Sequence, residues 1–196
     1  MKLYYSPGAC SLADHIALIE GGLPFEAIKV DLKAKKTAGG GDFCAINPKG
    51  YVPALELDDG TVLTENIAIL SFIAEQAGGL LPPDEMGRFR VLEALAYIST
   101  ELHKGFKPFF SGASEEEKER AREVLAKRFA LFDDKLAEQK FAAGENFTVA
   151  DCYLFVMLLW ATTKASVVLP PNLTAYYERL SAREGVRKAL SDEGLG

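Results

Sequence analysis

The stretch Tyr4-Tyr5-Ser6-Pro7-Gly8-Ala9-Cys10-Ser11-Leu12-Ala13 decides how this chain is read. A short apolar strand, Leu3 to Tyr5, breaks at Ser-Pro-Gly, and a helical pattern follows at Leu12, Ile16 and Ile19. The spacing puts the Cys10 thiol at or just before the first turn of a helix. Unpaired N–H groups and the positive end of the helix dipole gather there, and both favour a thiolate. The same position suits a buried cysteine packed as a small hydrophobe, and position alone does not separate the two.

Working outward, residues 1–78 alternate strand and helix. Ser11 to Glu20 reads as a helix stopped by Gly21-Gly22, and Glu26 to Val30 as a strand of period two. Residues 33–41, rich in lysine and glycine, read as a loop, and Asp42 to Ile46 as a short helix. Val52 to Leu57 and Val62-Leu63 read as strands joined by a turn at Asp58-Asp59-Gly60. Thr64 to Ala77 then reads as a helix with Thr64 as its N-cap. This order predicts a mixed sheet in an α/β layer domain.

Residues 79–87, with Gly79-Leu80-Leu81-Pro82-Pro83, read as a linker, and beyond it the strand signals vanish. Residues 88–196 read as an all-α domain. Its first helix spans Arg88 to Lys107, ended or kinked by Pro108; a second begins at Ser114-Glu115-Glu116-Glu117. A capping-box-like start at Thr148-Val149-Ala150-Asp151 leads into a helix apolar on nearly every side, which predicts a central place in a bundle. Two short helices follow, near 172–182 and 184–191.

Bulk properties narrow the partners. A net charge of −6 argues against nucleic acid. No apolar run approaches membrane-spanning length, and the start Met1-Lys2-Leu3-Tyr4 lacks a secretory pattern. Three cysteines, Cys10, Cys44 and Cys152, have no metal-type spacing and point to a reducing cytoplasm with free thiols.

Several residues have chemistry to offer. A cis bond at Val52-Pro53 would aim the Val52 backbone groups at an extended peptide, although a trans proline at a strand edge is the commoner arrangement. The N–H groups of the helix opening at Thr64-Glu65-Asn66 form an anion site, and Glu65 offers a carboxylate to an ammonium group; together they suit an α-amino-acid head, or serve simply as a cap. His103, followed by Lys104, can move a proton near neutral pH or sit half-buried between helices. Lys35 can pair with a carboxylate or remain solvated. His15 reads as structural.

These blocks together resemble the glutathione S-transferases, and the bacterial beta class most. The likeness rests on Met1 to Leu12, on Asn47-Pro48-Lys49-Gly50-Tyr51-Val52-Pro53-Ala54-Leu55 and on Leu63-Thr64-Glu65-Asn66. It continues through Glu101-Leu102-His103-Lys104-Gly105-Phe106, Phe147 to Phe155 and Glu193-Gly194-Leu195. The resemblance implies a thioredoxin-like N-terminal domain, an all-helical C-terminal domain and a homodimer. It implies that Val52-Pro53 is cis and pairs with the cysteinyl backbone of glutathione. Glu65 and Asn66 would hold the γ-glutamyl head and Lys35 the glycine carboxylate. Cys10 would face the glutathione sulfur, His103 and Lys104 would reach into the site from the second domain, and the helix start with His103 or Lys104 would supply positive potential. The reaction implied is conjugation of glutathione to a small hydrophobic electrophile or glutathione-dependent thiol transfer, with no metal. A non-catalytic module binding glutathione or a hydrophobic ligand is the alternative. Ala96 departs from the family, whose members carry a hydrogen-bonding Asn there.

Overall fold

The computed structural model describes residues 1–196 as two compact units. The first holds Met1–Leu80 together with Arg183–Gly196, and the second holds Leu81–Ala182.

The first unit is built on five strands: β1 (Lys2–Tyr5), β2 (Glu26–Asp31), β3 (Lys36–Thr37), β4 (Ala54–Glu56) and β5 (Val62–Thr64). Their order in the sheet is β3-β2-β1-β4-β5. Only β1 and β2 run parallel, and a parallel pair needs a crossover, which α1 (Leu12–Glu20) supplies. The other neighbours are antiparallel. Leu3 of β1 lies opposite Leu55 of β4, and both are fully buried. Leu12, Ala13, Ile16 and Ala17 bury the inner face of α1. α3 (Asn66–Ala77) packs against α1 and ends at Gly78, whose φ of +68° is the left-handed cap that glycine adopts without a side-chain penalty. Asp42 caps the short α2 (Phe43–Ile46), its carboxylate accepting from the Cys44 N–H at 2.9 Å.

Three local expectations change. The glycine-rich segment read as a loop contains β3, which pairs with β2 through Val30 and Thr37. Val52 and Pro53 lie outside β4, and the β1–β4 register ends at Tyr4 and Ala54. Thr64 closes β5 rather than capping the helix; the cap position is Glu65, at φ +76°, with no side-chain cap bond.

The second unit is helical: α4 (Glu85–Tyr97), α5 (Lys107–Phe110), α6 (Glu115–Glu138), α7 (Val149–Trp160) and α8 (Pro171–Ser181). Every residue of α7 except Leu159 is buried, as its all-round apolar sequence predicts, and it packs on α4 and α8. Capping boxes open α6 at Ser114/Glu117 and α7 at Thr148/Asp151. The helix expected over 88–107 is broken. After Tyr97 comes a π turn at Ile98–Leu102, then a 3-10 turn at His103–Phe106, and Pro108 lies in the first turn of α5 instead of ending a helix.

The tail also differs from expectation. Residues 183–196, expected with the helical domain, belong to the first unit. There α9 (Glu184–Asp192) packs on α1, and the Arg183 guanidinium donates to both carboxylate oxygens of Glu20, at 3.0 and 2.6 Å.

Candidate active site

Cys10 lies two residues before α1, just ahead of its N-cap residue Ser11. The Val52–Pro53 bond is cis, and the Cys10 thiol donates to the Val52 carbonyl at 3.6 Å. From the other side, the Asn66 side-chain amide donates to the Cys10 carbonyl at 3.1 Å. The fold therefore brings together Cys10, Val52 and Asn66 from three separated stretches of sequence.

The start of α3 is open to an anion. With no side-chain cap at Glu65, its first N–H groups lack a partner from that residue. Asn66 is 7 % exposed, and its Oδ1 is buried without a hydrogen-bond partner. An orphaned acceptor next to an uncapped helix start suits a ligand that carries both a carboxylate and an ammonium group. The Glu65 carboxylate pairs with the Lys49 ammonium and accepts from the Tyr51 hydroxyl at 2.7 Å. The Lys49 partner first and Tyr51 second hold its carboxyl below the usual range. Neither contact is visible in the sequence, because Lys49 and Tyr51 carry no spacing signal toward Glu65. Lys35, at φ +55°, donates from Nζ to the Gly50 carbonyl at 2.6 Å.

For Cys10, of the two readings that its position left open, burial favours the protonated thiol. Its own N–H and that of Ser11 do pull the thiol toward ionisation, as a helix start should. Burial outweighs them, with Asp14 adding to it, and the thiol is pushed up to about 12. Although Cys10 as a residue is half-buried, its sulfur is dehydrated, so at neutral pH it is a hydrogen-bond donor and not a thiolate.

His103 belongs to the second unit, at the junction of the π and 3-10 turns. Its Nδ1 shares a 2.5 Å hydrogen bond with the Tyr153 hydroxyl, and its ring meets Trp160 edge-on at 5.1 Å. Burial first and the Lys104 charge second lower its pKa, so it is neutral at neutral pH and supplies no positive potential. Lys104 is exposed beside it. Ala96, exposed on α4, offers no side-chain hydrogen bond.

His15 is buried in the first unit between the rings of Tyr5 and Phe25, its Nδ1 3.0 Å from Glu193 Oε1. The other Glu193 oxygen accepts from the Gly8 N–H at 2.8 Å. The tail thus braces the loop that carries Cys10, a role that no spacing rule assigns to Glu193.

Residues 9–76 match the family "Glutathione S-transferase, N-terminal domain", and residues 97–184 match "Glutathione S-transferase, C-terminal domain". The glutathione S-transferase GstA of Escherichia coli O157:H7 is 44% identical over 200 residues, covering 100% of both chains. A sphingomonad glutathione S-transferase solved with glutathione superposes at TM-score 0.92, with 48% identity and 100% of both chains covered. The bacterial beta class glutathione S-transferase of Sphingomonas chungbukensis does so at TM-score 0.92 with 46% identity, again over 100% of both chains. On these likenesses, the chain belongs to the glutathione S-transferase family, its likeness is to the bacterial beta class, and it is a glutathione transferase.

Proposed function

We propose that this enzyme conjugates glutathione to small hydrophobic electrophiles, with the single Cys10 S–H turning from the Val52 carbonyl to donate to the glutathione sulfur. In this reading the glutathione thiol loses its proton to solvent. Its sulfur forms a bond to the electrophilic carbon, and the leaving group departs with the bonding pair. The Val52 backbone groups, free of the sheet register, hold the cysteinyl segment. The α3 amides, Glu65 and Asn66 hold the γ-glutamyl head, and Lys35 holds the glycine carboxylate. His103 contributes as a neutral donor or acceptor and Lys104 as the cation. The observation that carries the reading is the Cys10 thiol at 3.6 Å from the Val52 carbonyl, dehydrated and protonated. A protonated thiol stabilises a neighbouring thiolate by donating to it, a bond worth about 1.5–3 kcal/mol.

The test is Cys10→Ala. Glutathione should still bind, by calorimetry, while conjugation at neutral pH falls roughly 10- to 100-fold, the kinetic equivalent of that bond. Intact-protein mass spectrometry of the wild type with glutathione disulfide decides the competing chemistry. A wild type fully converted to a Cys10–glutathione mixed disulfide and inactive in conjugation would replace conjugation with thiol transfer, and unchanged conjugation in the alanine variant would remove Cys10 from the conjugation mechanism.

Homodimerisation belongs to the same proposal. α4 exposes Met86, Phe89 and Leu92, and α6 exposes Leu131, each at 46–62 % of its full accessibility. Exposed apolar residues grouped in this way suit an interface. No helix of the chain is long and apolar enough to cross a membrane.

A further inference from the structure

His103 is held from several sides within the second unit. Its backbone N–H bonds to the Ile98 carbonyl, which closes the π turn, a feature often found at functional sites. The Arg128 guanidinium donates to the Glu101 carbonyl at 2.5 Å and pairs with the Glu101 carboxylate at 2.6 Å, which ties that turn to α6. The ring itself is gripped by α7. Tyr153 and Trp160 stand two helical turns apart on one face of that helix, and both are buried. Their rings meet the imidazole edge-on, with centroids 5.8 and 5.1 Å away. The Tyr153 hydroxyl reaches Nδ1 at 2.5 Å, and Nε2 has no partner within the protein.

We infer that Tyr153 is a positioning residue for His103: its hydroxyl donates to Nδ1, which fixes the ring as the Nε2–H tautomer and leaves Nε2 as a hydrogen-bond donor. The inference rests on the proposed place of His103 in the glutathione site, and it narrows the neutral ring from donor or acceptor to donor. A neutral imidazole has one N–H and one bare nitrogen, so the bond made by one nitrogen decides what the other can do. Of the two partners, the phenol is the better acid and the bare ring nitrogen the better base, so the proton of the shared bond belongs on oxygen. The length agrees: 2.5 Å lies in the range of hydroxyl donors and below that of N–H donors.

An Nε2–H can donate to a glutathione thiolate but cannot take up the proton of the thiol. It therefore suits a reaction in which that proton leaves to solvent, as proposed above. Burial of the ring, with the Lys104 charge second, disfavours the imidazolium and keeps the ring in the neutral form in which the tautomer matters. Trp160 holds the orientation. It packs in turn against the fully buried Phe106, with ring centroids 5.6 Å apart. Close-packed rings oppose the half-turn of the imidazole that would exchange its two nitrogens.

The experiment reads the tautomer and the turnover separately. Long-range proton–nitrogen NMR of the protein without ligand should show His103 with Nε2 protonated and Nδ1 bare. The chain has only two histidines, and His103→Gln identifies the signal. In Tyr153→Phe, which removes one oxygen and keeps the ring, the Nδ1–H form should appear beside it, and kcat for conjugation should fall roughly 3- to 10-fold. The same change made in His103→Ala should cost about twofold at most, because the hydroxyl acts only through the imidazole. An Nδ1–H ring in the wild type overturns the inference, whatever the turnover. So does an equal loss in both backgrounds, which is the mark of a tyrosine that merely supports the fold. Should Tyr153→Phe not fold, the wild-type spectrum decides alone. Unchanged conjugation in His103→Ala is a different failure: it removes His103 from the proposed reaction, and with it the role inferred for Tyr153, even where the ring reads as Nε2–H.

Discussion

At Cys10 two rules of helix chemistry compete, and their magnitudes decide the outcome. The amides of Cys10 and Ser11 favour the thiolate, which is what the sequence pattern leads one to expect. Dehydration acts on the same atom more strongly, and the thiol stays protonated up to about 12. Burial of one sulfur atom is not legible in a sequence, so the position of the site could be read there and its charge could not. Asn66 shows the same division. Its place at a helix start is readable, but its bond to the Cys10 carbonyl and its bare Oδ1 are tertiary facts. Asn66→Ala removes a donor and the orphaned acceptor, at about 1–1.5 kcal/mol. The glutathione Kd should therefore weaken roughly 5- to 10-fold by calorimetry; an unchanged Kd would take Asn66 out of the binding site.

Among the elements, those with a strong apolar period were legible and those defined by pairing were not. α7 reads directly from its capping box and its apolar run. Asp151 inside that box is buried and accepts from the Thr148 N–H at 2.7 Å, the Ala142 N–H at 2.8 Å and the Tyr176 hydroxyl at 2.5 Å. Thr148→Ala removes the cap to the Ala150 N–H and one donor to Asp151. It should lower stability by about 1–2 kcal/mol in urea titration; a loss under ~0.3 kcal/mol would mean the cap is redundant. β3 escaped the sequence reading because two residues between glycines and lysines have no period of their own, and only the β2 edge makes them a strand. The break after Tyr97 escaped for a related reason. A π turn shifts the apolar stripe by a single residue, within the scatter of an ordinary helical pattern.

For the whole molecule, the buried Asp14 sets a pH dependence. An acid whose pKa is higher in the folded than in the unfolded chain supports the fold only while protonated. That contribution is full below its unfolded value near 4 and is lost as pH rises through the folded value. Asp14→Asn should therefore melt higher than the wild type at pH 8, by a few degrees or about 1 kcal/mol. The two melting curves should converge below about pH 4. Melting temperatures that stay parallel from pH 4 to pH 8 would show that Asp14 ionises alike in the folded and unfolded chain, its pKa unshifted by burial. The apolar residues of α4 make a separate prediction at this scale. Phe89, 57 % exposed, should be covered if the proposed homodimer forms through α4. Phe89→Glu should then shift sedimentation from dimer toward monomer without unfolding the chain, and an unchanged sedimentation coefficient would move the interface elsewhere.

The sequence by itself determined the class of the fold, the elements with a strong apolar period and the motif that carries the thiol, because these depend on local propensity and on apolar periods that neighbouring residues share. Only the tertiary structure decided that residues 183–196 return to the first unit, that Glu193 braces the Gly8 loop and that Cys10 is a thiol rather than a thiolate. Each of those depends on which distant groups exclude water from a given atom, and that is a property of packing that no stretch of neighbouring residues contains.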